Sequence, residues 1–239
     1  MKYNPDCTKV VIFCYPIWGG GKFLINCLGL SNDCYLSDIA AARLQRNNQL
    51  SPQDKFLFLL DKINKVGDEW NDINLGSKQL FGNPCKPEQF YPEINEISHN
   101  NNKLFFLETH DPGDQLSPTL NQHLQIWPNA KTVYLRNANR FIKWRLGRPD
   151  EYNSSDVRHD TDFGKDLDQR LLDMNNLYVW DTECYFAEHR FIEELKKMYE
   201  YFGLLDFNER MVRILYIRYI KKLGELRIKN LAKHNQNCC

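Results

Sequence analysis

The sequence predicts a three-layer α/β/α fold around a mainly parallel sheet, built by one domain over residues 1–239. Three observations lead there. Short apolar runs alternate with longer segments of helical periodicity, the pattern of strands joined by crossover helices. The first run passes through a proline and three consecutive glycines straight into a helical pattern. No internal repeat or long linker divides the 239 residues, a length suited to one sizeable core rather than two.

The elements follow in order. Val10–Cys14 (VVIFC) is a continuous apolar run and reads as a buried parallel strand. The helix after it covers about 21–30. Residues 35–47 (YLSDIAAARLQRN) have Ala-rich helical character, and 53–66 (QDKFLFLLDKINKV) form a stronger amphipathic helix. Residues 67–101 are rich in Gly, Pro and Asn and read as irregular loop with at most one short helix. Lys103–Glu108 (KLFFLE) is the second strand. A short helix ending at Trp127-Pro128-Asn129 precedes the third, Lys131–Leu135 (KTVYL). Residues 146–166 are polar and read as a mobile surface loop. Helices are expected over about 167–180, 188–203 and 208–232.

Composition narrows the function classes. The 31 basic and 31 acidic residues cancel, so no global field draws the chain to nucleic acid or to an anionic membrane. No apolar run is long enough to span a bilayer, and MKYNPDCTK carries no apolar signal region, so a cytoplasmic location is expected. The 8 Cys lack paired zinc-ligand spacing; Cys14 and Cys27 lie in apolar runs and read as reduced core residues. HNQN before Cys238-Cys239 is not a polybasic arm, so a lipid anchor is not expected there.

The chemistry is expected at the carboxyl ends of the strands, where open α/β sheets bind their ligands. That edge collects Tyr15–Lys22 after the first strand, Thr109–Gly113 after the second and Arg136–Arg140 after the third, bringing Lys22, His110 and Arg136 to one rim. A glycine turn at a helix start offers backbone N–H groups to an anion, and Lys22 adds a cation. Gly21-Lys22 fits the end of the P-loop pattern GxxxxGK[ST], giving a P-loop NTPase-like expectation. Pro16 stands in place of its first Gly, and Phe23 in place of the hydroxyl that holds Mg²⁺, so no metal is expected. Three glycines in a row cost more backbone entropy than a plain connector requires, which favours close approach of a phosphate. His110 is a suitable base near neutral pH, and Arg136 is suited to a bidentate phosphate contact. Arg140, Lys143, Arg145 and Arg148 form either a solvated helix side or the mouth of an anionic site. Trp18 and Trp144 either pack or stack on a base. His99, His123, His159, His189 and His234 show no ligand spacing and read as surface or structural.

Taken together, these segments resemble the sulfotransferases. CYPIWGGGKF, residues 14–23, is similar to that family's loop around the 5′-phosphosulfate of its donor. Glu108-Thr109-His110-Asp111-Pro112 is similar to the segment carrying the catalytic His. TVYLRNANR, residues 132–140, is similar to the segment whose Arg grips the 3′-phosphate, and Phe191–Leu204 resembles the family's late helix. The resemblance implies transfer of a sulfuryl group from 3′-phosphoadenosine-5′-phosphosulfate to a hydroxyl or amine of a small-molecule or glycan acceptor. It implies Trp18, Gly19, Gly20, Gly21, Lys22, Phe23, Arg136 and Trp144 at the donor, His110 as base with Glu108 in reserve, and Lys22 at the sulfonate. The chain departs from the family pattern at Ile17 and Glu108, each in place of a Lys, and at Trp144 in place of a Ser. A P-loop nucleotide or small-molecule kinase, and a nucleotide-binding relative without catalysis, are the rival readings.

Overall fold

The computed structural model of the chain describes residues 9–15, 19–36, 50–65, 103–109, 120–146 and 176–237. Four strands, β1 (Val10–Cys14), β2 (Phe105–Thr109), β3 (Lys131–Arg136) and β4 (Leu177–Asp181), pair in the order β2-β1-β3-β4, all parallel. A parallel bridge between Cys34 and Leu104 extends the β2 edge. Helices α1 (Gly21–Leu28), α2 (Pro52–Lys65), α3 (Leu120–Ile126), α4 (Ala138–Leu146), α5 (Glu188–Phe202) and α6 (Glu209–Asn237) surround the sheet.

Strand alternation assigns the two faces. Val11, Phe13, Phe106, Val133, Leu135 and Trp180 face α1, α2 and α4–α6. Val10, Ile12, Phe105, Leu107 and Tyr134 face α3 through Leu120 and Trp127. Helices lie on both faces, an arrangement compatible with the expected α/β/α layering. The larger core has an aromatic centre: Phe191 packs on Phe23, Trp180, Tyr185 and Tyr216, with ring centroids 4.9–5.7 Å apart.

Local signals set the helix ends. Ser51 and Asp54 exchange hydrogen bonds at the start of α2, with Pro52 at its first position. Asn208 caps α6 by accepting from the Met211 amide. Gly203, at φ 73°, ends α5, and the Leu204 amide returns to the Tyr199 carbonyl. Helix α6 runs to Asn237, five residues past the expected end.

The structure corrects one assignment in the sheet. Leu177–Asp181, expected as the end of a helix over 167–180, is the fourth strand, pairing Val133 with Tyr178 and Leu135 with Trp180. LYVWD is rich in strand-favouring residues, and as an edge strand it buries only Trp180 fully, so its apolar pattern is weak. The helical stretch expected over 35–47 does not begin at Tyr35 and Leu36, which lie in coil; 37–47, the loops 67–101 and 147–166, and residues 167–175 fall outside the described residues.

Lys55 and His123 are among the polar residues buried in this frame. Lys55 is fully buried and donates to the carbonyls of Ser31 and Cys34, fastening α2 to the segment after α1. Burial pushes its ammonium down to about 8. His123, grouped with the surface or structural histidines, is buried on α3 beside Trp127, and burial pushes its imidazole down to about 4. A folded-state value below the unfolded one means that protons bind better to the unfolded chain. The His123 contribution is therefore complete above the ordinary value of 6.5 and lost as pH falls towards 4. Thermal melts should show wild type losing stability over that window more steeply than His123→Leu; parallel pH profiles would overturn the assignment.

Candidate functional site at the carboxyl edge of the sheet

The strands β1 and β3 are neighbours, and each is followed within a few residues by a helix at the same sheet edge. Each helix is entered through a left-handed residue. Gly20 has φ 85° before α1, and Asn137 has φ 59° before α4. Asn tolerates this region better than most side chains. A left-handed residue followed by a right-handed one turns successive amides towards one concavity, the arrangement that binds anions. The carboxyl edge therefore carries two helix N-termini side by side, with Lys22 in the first turn of one and Arg136 and Arg140 flanking the start of the other.

Sheet register brings Glu108 to Lys22. Glu108 pairs with Phe13 and shares its face, as does Tyr15 two residues on. That is the face covered by α1. The Lys22 ammonium donates to one carboxylate oxygen of Glu108 and the Tyr15 hydroxyl donates to the other. The Lys22 and Glu108 side chains are only 14% and 16% exposed, so this pair is much less screened than a surface bridge. Burial first, and the Glu108 charge second, hold the Tyr15 hydroxyl well above the ordinary tyrosine range, so it stays a donor.

The glycines have a structural task of their own. A Cβ at Gly20 would meet Tyr185 at 3.0 Å and Phe141 at 3.1 Å, on a backbone already left-handed. A Cβ at Gly21 would fall inside the contact envelope of the Tyr15 ring. The Tyr185 hydroxyl donates to the Gly20 carbonyl at 2.9 Å. Ring packing thus accounts for Gly20 and Gly21 without a ligand, so their entropic cost by itself is no sign of a phosphate. It also means that a branched residue at Gly20 perturbs the fold as well as the turn. Gly19, Gly20 and Gly21 are buried, and Lys22 is partly exposed.

Arg136 ends β3 with its side chain 56% exposed, 3.5 Å from Asp181 across the β3–β4 pair. An exposed pair of this kind contributes about 0–1 kcal/mol, so Arg136 can change partner at little cost. Asp181 also receives the Asn137 side-chain amide at 3.3 Å and the Glu183 backbone amide at 3.0 Å, tying the two strand ends together. Arg140 pairs with Glu183 and lies 4.7 Å over the Phe186 ring.

The remaining expected residues divide by environment. The Phe23 ring stacks on Tyr219 at 3.9 Å within the core, which leaves only its backbone to serve the turn. Trp144 is partly buried, 6.0 Å from Phe141 and edge-on to Phe186 at 5.8 Å. The basic cluster separates by helical spacing: Arg140 and Lys143 face outward, whereas Arg145 is 8% exposed behind the turn. Desolvation there lowers its guanidinium from the ordinary value, opposed by neighbouring Tyr219, Tyr185 and Tyr15. His110, Trp18 and Arg148 lie outside the described residues. Tyr15, Asp181 and Glu183 are the site residues that sequence reading did not single out. Of these only Asp181 left a local signal, as the cap of the 3₁₀ turn Thr182–Phe186.

No protein-family model, curated protein or solved structure matches the chain. Among the described residues no helix is long and apolar enough to cross a membrane, and no three His, Cys, Asp or Glu side chains are grouped to hold a metal ion.

Proposed function

We propose that the chain binds 3′-phosphoadenosine-5′-phosphosulfate at the carboxyl ends of β1 and β3 and moves its sulfuryl group to a hydroxyl or amine acceptor. The observation that carries the reading is the pair of adjacent helix N-termini, each entered through a left-handed residue and each accompanied by a cation. Two such ends suit a ligand with two separated anionic groups. The amides of Gly21 and Lys22 and the Lys22 ammonium would hold the 5′ group, and Arg136 the 3′-phosphate. The donor supplies an activated sulfuryl group; the chain supplies electrostatic stabilisation and a base. His110, directly after Thr109 at the end of β2, takes the acceptor proton as the acceptor–sulfur bond forms and the bond to the leaving phosphate breaks. Glu108 is the weaker candidate for that role, since both of its oxygens accept from Tyr15 and Lys22. The acceptor is a small molecule or a glycan, and the protein works in the cytoplasm.

The test is a calorimetric comparison of nucleotides. 3′,5′-Bisphosphoadenosine should bind more tightly than adenosine 5′-monophosphate by about 1.5–3 kcal/mol, the worth of a charge-assisted phosphate contact. Arg136→Met should erase the difference. Equal affinities would remove the 3′-phosphate from the proposal, and tighter binding of ATP with Mg²⁺ would favour a kinase.

A further inference from the structure

We propose that Glu108 sets the anion affinity of the glycine turn by engaging the Lys22 ammonium; this rests on the anion-binding reading above. Three contacts carry the proposal. The Lys22 ammonium lies on Glu108 at the end of β2, although its backbone belongs to the first turn of α1. The Tyr15 hydroxyl fixes the other oxygen of the same carboxylate. The Tyr15 ring lies close against Gly21, where an added Cβ would fall within its contact envelope, so the hydroxyl that binds the carboxylate belongs to a ring packed at the turn.

The charge at the turn is therefore balanced within the protein. An anion arriving at α1 meets favourable amides, a carboxylate close by and a lysine already engaged. It must draw the ammonium from Glu108 and leave a second negative charge near its own. A small inorganic anion gains only the turn and is discriminated against. A nucleotide with a second phosphate also gains Arg136, whose exposed link to Asp181 yields readily. Glu108 thus lowers the affinity of the turn for every anion, a ligand with a second anionic anchor offsets that cost through Arg136, and Lys22 remains available once such a ligand is seated.

Two measurements test this. The first uses no ligand. Brief acylation of lysine amines, followed by peptide mass spectrometry, should modify Lys22 at least about threefold faster in Glu108→Gln than in wild type, because the ammonium has lost its ionic partner. An unchanged rate would overturn the proposal and leave the proposed function standing. Tyr15→Phe, which keeps the ring and removes the hydroxyl, should move the rate in the same direction and serves if Glu108→Gln folds poorly. The second is calorimetric titration with inorganic phosphate and with 3′,5′-bisphosphoadenosine. Glu108→Gln should tighten both by about tenfold, a change of about 1.4 kcal/mol, and the gain should vanish in the Lys22→Ala background. Binding to wild type that is equal or weaker in Glu108→Gln would overturn the role of Glu108 alone. Absence of binding to every variant would overturn both this role and the anion-binding reading.

Discussion

Replacing Gly21 with Ala is expected to destabilise the protein by about 1–3 kcal/mol, the usual effect of forcing extra volume into a packed site. The backbone at Gly21 is helical, so the penalty is steric. The added methyl would occupy the space of the Tyr15 ring, which is itself buried and anchored to Glu108. Relief requires Tyr15 to move, and that movement releases the carboxylate that holds Lys22. Gly224→Ala gives the opposite sign. This glycine lies in the interior of α6 with no atom within 4 Å of the added methyl. Ala there should stabilise by about 1 kcal/mol through helix propensity and a smaller unfolded-state entropy. Urea titrations of the two variants measure both shifts. A neutral Gly21→Ala would show that the turn is not locked by the tyrosine ring.

On the sulfuryl transfer proposed above, His110→Ala is expected to lower turnover by about 10²–10⁴-fold, the range for loss of a general base. Binding of 3′,5′-bisphosphoadenosine should be nearly unchanged, because the proposed role of His110 is on the acceptor and not on the donor. Single-turnover rates set beside donor affinity make the distinction. A variant that loses donor binding and rate together would assign His110 to the donor site, and full activity would pass the role to another group.

Much of the architecture was legible because its signals are local. VVIFC, KLFFLE and KTVYL are apolar runs of strand length, and each lies in the sheet with bounds shifted by two residues or fewer. Ser51 with Asp54, Asn208 and Gly203 close helix ends in the structure by equally short-range contacts, although the sequence reading did not use them. β4 was missed because an edge strand buries one side weakly, and its five residues merged with the helical periodicity before them. His123 gave no sign of burial, since its environment comes from Trp127 and the packing of α3 on the sheet.

The sequence by itself determined an α/β chain with a parallel sheet, a glycine turn leading into α1, and cationic residues at the strand ends. Chain order and strand-length hydrophobic runs are enough for that, because parallel strands need crossovers and their carboxyl ends then share one edge. Only the tertiary structure decided how those residues are engaged. Lys22 and Glu108 are 86 positions apart, and they meet because β2 pairs with β1 in the register that sets Glu108 beside Phe13. Gly20 and Tyr185 are 165 positions apart, and they meet because the aromatic core closes under the turn. A one-residue slip in register would turn Glu108 to the opposite face of the sheet and leave Lys22 without its partner.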